Sequence, residues 1–305
     1  MHDLAIGIDI GGTNLRAARV SAAGEILERV SEKITRDPNA LLTRIIALIE
    51  KLDREDVTAI GIGVPGRVDA RRQLALSGGY VDLSKIALGD RIKGASKKSV
   101  VIDNDCNMAL IAEIAVGAAR GRENVAMLTI GTGIGGAIVQ EGRIVRGKMS
   151  AGQLGHVTVD VHGRRCLCGR HGCVETTSSG TALGRHLAEV GLALDTTIDK
   201  LFALDAAGDQ AARAVLLAWA GPLRAAIDSI IAVVDPELVL LGGGLGVAAH
   251  RALAVVTVAQ SDWYQCELAT AELGDDAGVI GAALSSLSEP LSSMDVKSPE
   301  RTSGL

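Results

Sequence analysis

Apolar residues recur along this chain at two different periods, and the switches between them mark its elements. Leu4 to Val20 is apolar and β-leaning on both sides of Gly11-Gly12-Thr13-Asn14, which predicts strand, tight turn, strand. From Pro38 to Leu52 the apolar positions Leu41, Leu42, Ile45, Ile46, Leu48, Ile49 and Leu52 fall at helical spacing behind Asp37, a helix-start residue. Ala59 to Val64 predicts a short buried strand stopped by Pro65-Gly66, Ser99 to Asp103 another strand, and Ala109 to Ala118 a helix. Strands alternating with helices argue for an α/β protein.

The opening theme then returns. Ala126 to Ile130 is apolar, Gly131-Thr132-Gly133-Ile134-Gly135-Gly136 makes the turn, and Ala137 to Val139 leads out. A polar turn follows each hairpin, at residues 21–25 and 140–143. Two such units predict a duplicated architecture that holds a nucleotide between its halves. Further on, Leu183 to Leu192 and Gln210 to Val234 predict helices, Leu238 to Leu241 a strand running into Gly242-Gly243-Gly244, and Ala277 to Leu287 a helix. A chain of 305 residues accommodates two domains. The expected division is an N-terminal α/β lobe over 1–118, a C-terminal α/β lobe over 119–288, and a Ser/Pro/charge-rich flexible tail over 289–305.

Composition narrows the function classes. No long stretch lacks charged and polar side chains, which argues against a transmembrane helix, and Met1-His2-Asp3-Leu4 lacks the pattern of a signal peptide. A cytoplasmic protein is the default expectation. The formal charge of -5 argues against a nucleic-acid binder working by bulk electrostatics. With one Phe, two Trp and two Tyr, aromatic stacking platforms are scarce. Of five cysteines, Cys166, Cys168 and Cys173 are clustered, which in a chain without an export signal points to metal rather than to disulfides. Cys106 and Cys266 are isolated and read as small buried hydrophobes.

Three groups of residues carry candidate chemistry. Glycine turns let backbone N–H groups close on phosphate oxygens. Asp9-Ile10-Gly11-Gly12-Thr13-Asn14 adds a hydroxyl and a carboxylate suited to hydrated Mg²⁺, and the second turn offers Thr132 and Gly133. Gly131, Gly133 and Gly136 also match a dinucleotide fingerprint, but a strand rather than a helix is predicted next, so a phosphate-gripping hairpin fits better. Asp103-Asn104-Asp105-Cys106-Asn107 joins a strand to a helix. Its carboxylates and amides suit a helix cap, and Asp105 also suits a general base for an attacking hydroxyl. His156 with Cys166, Cys168 and Cys173 supplies a closed zinc set, with His162 and His171 as competing ligands.

Taken together, these motifs resemble the ROK family of repressors, open reading frames and kinases, from Leu4 to about Leu287. The resemblance rests on Asp9 to Asn14, Asn104-Asp105, Gly131 to Gly136, and Gly155-His156 followed by the cysteine run ending at Glu175. It implies a two-lobed, actin-like ATPase fold of the hexokinase and ribonuclease H-like type, with an interlobe cleft. It implies Asp105 as catalytic base, and Gly66, Asn104, Asp105, Gln153, His156 and Glu175 around a sugar. It also implies Asp9, Gly11, Gly12, Thr13, Asn14, Thr132, Gly133 and Gly243 around Mg-ATP. His156, Cys166, Cys168 and Cys173 would hold a structural Zn²⁺, and the family's habit of forming dimers or tetramers implies a homo-oligomer.

The implied activity is transfer of the ATP γ-phosphoryl group to a hydroxyl, the one at C6, of a hexose or an N-acyl or amino hexose. The alternatives are a non-catalytic sugar sensor and a regulator of the same family. A regulator would carry a DNA-binding domain ahead of the first strand, for which Leu4 leaves no room. Two departures lie on the sugar side. The family's Glu-x-Gly-His reads Gln153-Leu154-Gly155-His156 here, exchanging an acceptor-only carboxylate for an amide that donates and accepts. The loop Ser77-Gly78-Gly79-Tyr80 also replaces a family Asn-Leu pair and tryptophan.

Overall fold

Two five-stranded sheets with the same strand order form the framework. The computed structural model describes residues 3–77, 81–257 and 261–287, so the tail and residues 78–80 of the Ser77-to-Tyr80 loop lie outside the described residues. The first sheet comprises β1 (Leu4–Ile10), β2 (Asn14–Ser21), β3 (Ile26–Lys33), β4 (Val57–Val64) and, after a ribbon of β5 (Arg67–Asp69) and β6 (Leu74–Ser77), β7 (Ser99–Asn104). Its order is β3-β2-β1-β4-β7. The second comprises β8 (Val125–Ile130), β9 (Ile134–Gln140), β10 (Arg143–Ile144), β11 (Leu238–Gly242) and β12 (Glu267–Thr270), in the order β10-β9-β8-β11-β12. In each sheet an antiparallel meander gives three strands, and two more add parallel to the first of them. The duplication expected from two glycine hairpins is therefore present strand for strand.

Nine α-helices join these strands among the described residues: α1 (Pro38–Leu52), α2 (Leu88–Ser96), α3 (Asp105–Val116), α4 (Glu175–Ser178), α5 (Gly180–Glu189), α6 (Ile198–Ala206), α7 (Gln210–Val234), α8 (Gly246–Leu253) and α9 (Ala277–Leu287). The first of them starts as expected: the Asp37 carboxylate accepts from Ala40 N–H at 2.7 Å, and Pro38 needs no partner there. Two other helices start earlier than apolar spacing suggested, because capping residues set their starts. Asn104 caps α3 at Asp105 rather than near Ala109, and Ser179 caps α5 at Gly180 rather than Leu183. The fold adds β3, β5, β6, β12, α2, α6 and α8, which hydropathy did not single out.

By length and composition, α7 is the one helix among the described residues that could cross a membrane. Its apolar face instead fills the core beside the second sheet, packed by α4, α5, α6 and α8. Trp219 is fully buried there, and its indole N–H donates to Ser179 O at 3.0 Å. Arg224 on its outer face pairs with Asp228 one turn on.

α9 comes last of the described elements, yet packs on β1 and β4 of the first sheet and on α3. Paired glycines permit it: Gly7 of β1 and Gly61 of β4 are register partners, and a Cβ on either would overlap the Val279 or Ala282 carbonyl. On the opposite side, a Cβ at Gly281 would overlap the Met108 carbonyl of α3. Helix propensity alone says that Gly281→Ala stabilises, by about 1 kcal/mol. We expect the reverse, a loss of roughly 1–3 kcal/mol by overpacking, read as a lower urea midpoint. An unchanged or higher midpoint would contradict this packing.

Candidate active site

The parallel strands of each sheet end on loops that carry the candidate chemistry, the usual place for a site in an α/β protein. In the first sheet Asp9, Gly63 and Asp103 lie side by side on β1, β4 and β7. At the end of β7, Asn104 rather than Asp105 caps α3, its Oδ1 accepting from Cys106 N–H at 3.0 Å and Asn107 N–H at 3.2 Å. The Asn104 amide donates to Gly66 O at 2.9 Å and to Asp105 Oδ1 at 2.8 Å. Cys106 N–H also donates to that oxygen, at 2.9 Å. Asp105 is thereby held through Oδ1 by two N–H donors, and the Cys106 thiol also hydrogen-bonds the carboxylate.

Burial pushes the Asp105 carboxyl up to about 7, and the Asp9 carboxylate pushes in the same direction; the Cys106 and Asn104 donors pull it back. Ionised Asp105 is therefore a strain on the fold. Its contribution to stability is complete below the ordinary carboxylate range and is lost as pH rises through about 7. Burial also raises Asp9, opposed by Arg16, whose Nη1 lies 3.3 Å from Asp9 Oδ2 while Nη2 pairs with Asp275 at 2.8 Å. The turn beyond Asp9 is closed by Gly11 N–H donating to Asn14 O at 3.0 Å, and Thr13 is exposed at its tip.

The second glycine turn meets the start of α3 where Gly135 packs on Cys106. It leads into β9, a strand, as the hairpin reading requires. Thr132 O accepts from the Thr181 hydroxyl at 2.8 Å, and Gly131 O accepts from Gly180 N–H at 2.7 Å, so the start of α5 braces the turn. Gly243 has φ +77°, and Leu245 N–H donates to Ile130 O at 2.9 Å, bringing the third glycine cluster against the end of β8. Cys106 lies between the halves, its Sγ 3.1 Å from Thr129 Oγ1 and under Gly135. Both Cys106 and Cys266 are partly rather than fully buried.

A small, open polar pocket lies beside Asn104, and Gly66, Asn104 and Gln153 all line it. His156 and Glu175 lie apart from that lining, in the cysteine knuckle. Glu175 Oε2 accepts from Ile134 N–H at 2.9 Å, and its Oε1 is 3.8 Å from Cys166 Sγ, so it joins the second glycine turn to the knuckle. Sequence reasoning missed four groups here: Asp103, Asn107, Arg146 and Arg16. The buried Asp103 receives Arg146 Nε at 2.9 Å and Nη2 at 2.6 Å on one oxygen, and Asn104 N–H and the Asn107 amide on the other. The Asp-Asn-Asp-x-Asn run gave a signal for Asp103 and Asn107. Nothing in the local pattern marked Arg146 or Arg16.

His156, Cys166, Cys168 and Cys173 converge, their ligand atoms all within 4.8 Å of one another. Cys168 Sγ lies 3.6 Å from Cys173 Sγ, and Cys166 Sγ lies 3.6 Å from His156 Nδ1. Those edges fit a tetrahedron with bonds of about 2.0–2.3 Å to a central ion, and three thiols with one imidazole are a donor set that zinc takes. His162 and His171 are not among the convergent groups. Gly169 and Gly172 make the knuckle, both at positive φ, with Gly172 pressed against Asp160 O.

The ROK family profile matches residues 5–288. The chain belongs to the ROK family. The glucokinase of Thermotoga maritima is 32% identical, over 91% of this chain and 95% of its own length. The ROK hexokinase of Thermus thermophilus superimposes with a TM-score of 0.78 at 30% identity, covering 93% of this chain and 97% of that one. A ROK glucokinase from Streptomyces griseus, solved in complex with glucose and AMPPNP, gives 0.76 at 28% identity, covering 92% and 98%. This ROK chain has the mixed α/β, actin-like ATPase fold of those relatives.

Proposed function

We propose that this protein is an ATP-dependent sugar kinase, transferring the γ-phosphoryl group to the C6 hydroxyl of a hexose or an N-acyl or amino hexose. The observation that carries the reading is Asp105: a carboxylate oriented through Oδ1 by the Asn104 amide and Cys106 N–H, at the end of β7 with its pKa near neutrality. A base is most effective when its pKa lies close to the working pH. Oδ2 takes the hydroxyl proton as the sugar oxygen attacks phosphorus, and Asn104 keeps the carboxylate turned toward that oxygen. Gly66 and Gln153 line the pocket with Asn104, and a sugar reaching out of it would meet His156 and Glu175 of the knuckle. The turns around Gly11, Gly12, Thr13 and Asn14, around Thr132 and Gly133, and at Gly243 supply N–H groups and hydroxyls for the nucleotide's phosphates. Mg²⁺, which Asp9 would hold through its hydration shell, supplies neutralisation of phosphate charge. Zn²⁺ on His156, Cys166, Cys168 and Cys173 supplies structural closure of the knuckle. The lobes of the proposal are 1–118 and 119–288, with α9 serving the first, and the chain self-associates.

Sugar-dependent ADP release across hexoses, N-acetylhexosamines and polyols tests the reading. Turnover of at least one hexose-type sugar is the expected result, and ADP release indifferent to every sugar would refute it. Gln153→Glu should change the order of preference within that panel, because it replaces an ambivalent amide by an acceptor at the pocket wall. An unaltered order would remove Gln153 from the specificity determinants.

A further inference from the structure

Glu113 is a buried carboxylate for which the proposed reaction has no use. It is 0% exposed and sits in the last turn of α3, where the helix's own carbonyl end disfavours negative charge. Three backbone N–H groups hold it: Ala118 at 2.9 Å and Glu272 at 3.2 Å donate to Oε2, and Leu273 at 2.9 Å donates to Oε1. Gly117 leaves room for it, because a Cβ there would overlap Oε2. An apolar side chain would fill this space without the cost of burying a charge. It could not accept from two separate segments at once.

Those segments are the two connections between the sheets among the described residues. The chain leaves β7 of the first sheet through α3 and residues 117–124 to reach β8 of the second, and returns from β12 through residues 271–276 to α9 on the first. Ala118 belongs to the outward connection, Glu272 and Leu273 to the returning one. Beyond them Asp275 pairs with Arg16 at 2.8 Å and Asp276 with Arg29 at 3.1 Å, tying the returning connection to β2 and β3. Both acids of the candidate site join this junction. Asp105 opens α3 two turns before Glu113, about 12 Å along the helix axis, and Asp9 Oδ2 lies 3.3 Å from Arg16 Nη1. We propose that Glu113 is a positioning residue for phosphoryl transfer, a clamp on both connections that fixes the register between Asp105 and the phosphate-binding turns of the second sheet. The inference rests on the kinase reading and assigns to it a residue at the far end of α3.

Two variants test the clamp. Glu113→Gln keeps the size of the side chain but puts an NH₂ group where one oxygen accepted, so at least one N–H loses its acceptor. Gly117→Ala leaves the carboxylate chemically intact and displaces it. Both should lower kcat for the preferred sugar of the panel by about tenfold or more, as reacting groups lose their register, with smaller changes in KM for sugar and ATP. A purely structural carboxylate would lower the melting temperature and leave kcat of the folded protein unchanged; that result in both variants overturns the proposal. If neither variant folds, hydrogen exchange on the wild-type protein decides. Adding the same sugar with AMPPNP should slow exchange at Ala118, Glu272 and Leu273 together, and a change confined to one connection overturns the clamp. Wild-type protein that turns over no sugar is a different result: it refutes the kinase reading itself, and the proposal with it.

Discussion

Asp105→Asn is expected to lower kcat by about 10²–10⁴-fold, the range that a positioned general base contributes, while leaving the protein folded. The amide keeps an oxygen for the Asn104 amide and Cys106 N–H donors. It also removes a buried charge that lies near a second one, Asp9. Stability above neutral pH should therefore hold or rise in the variant, since the wild type there carries an ionised group whose folded pKa is raised. Activity and stability moving in opposite directions separates a base from a structural residue. A variant that keeps activity, or loses it only by unfolding, would remove Asp105 from the reaction.

Loss of the proposed zinc ion has the other large expected effect. Structural zinc sites contribute on the order of 10 kcal/mol to the segment they order. Here that segment carries His156 and Glu175, and Glu175 is bonded to the second glycine turn through Ile134 N–H. Cys168→Ser is the informative substitution because Cys168 is exposed, whereas Cys166 and Cys173 are buried, so its effect reports ligation rather than core packing. We expect zinc content to fall well below one ion per chain, with KM for the sugar raised at least about tenfold through disorder of the pocket's rim. Zinc-free protein with wild-type sugar kinetics would contradict a structural role for the ion.

Much of this was legible in the sequence where a residue type has one strong physical use. Glycines on either side of a strand end forecast the hairpins, and the strand predicted after Gly136 separated this turn from a dinucleotide fold before any coordinates. Three cysteines and a histidine forecast the convergent knuckle. The Asn104-Asp105 pair was ambiguous because both side chains cap helices; the structure divides the work, Asn104 capping α3 and Asp105 accepting from the Asn104 amide and Cys106 N–H. Less was readable where long-range packing decides. α9 looks like any apolar helix, and only Gly7 on β1 and Gly61 on β4, with its own Gly281 against α3, show which sheet it serves. Arg146 occupies a position where an exposed cation is ordinary, and its partner Asp103 is 43 residues away in sequence.

In the proposed reaction the Asp105 carboxyl, raised to about 7, must lose its proton before the sugar can give one up. The pH dependence of kcat/KM for the best sugar measures that directly, because it reports the free enzyme's essential groups. The predicted profile falls on the acid side of about 7, in proportion to the ionised fraction of Asp105, and the acid limb disappears in the residual activity of Asp105→Asn. A wild-type profile flat down to pH values about two units lower, or a limb retained in the variant, would contradict it.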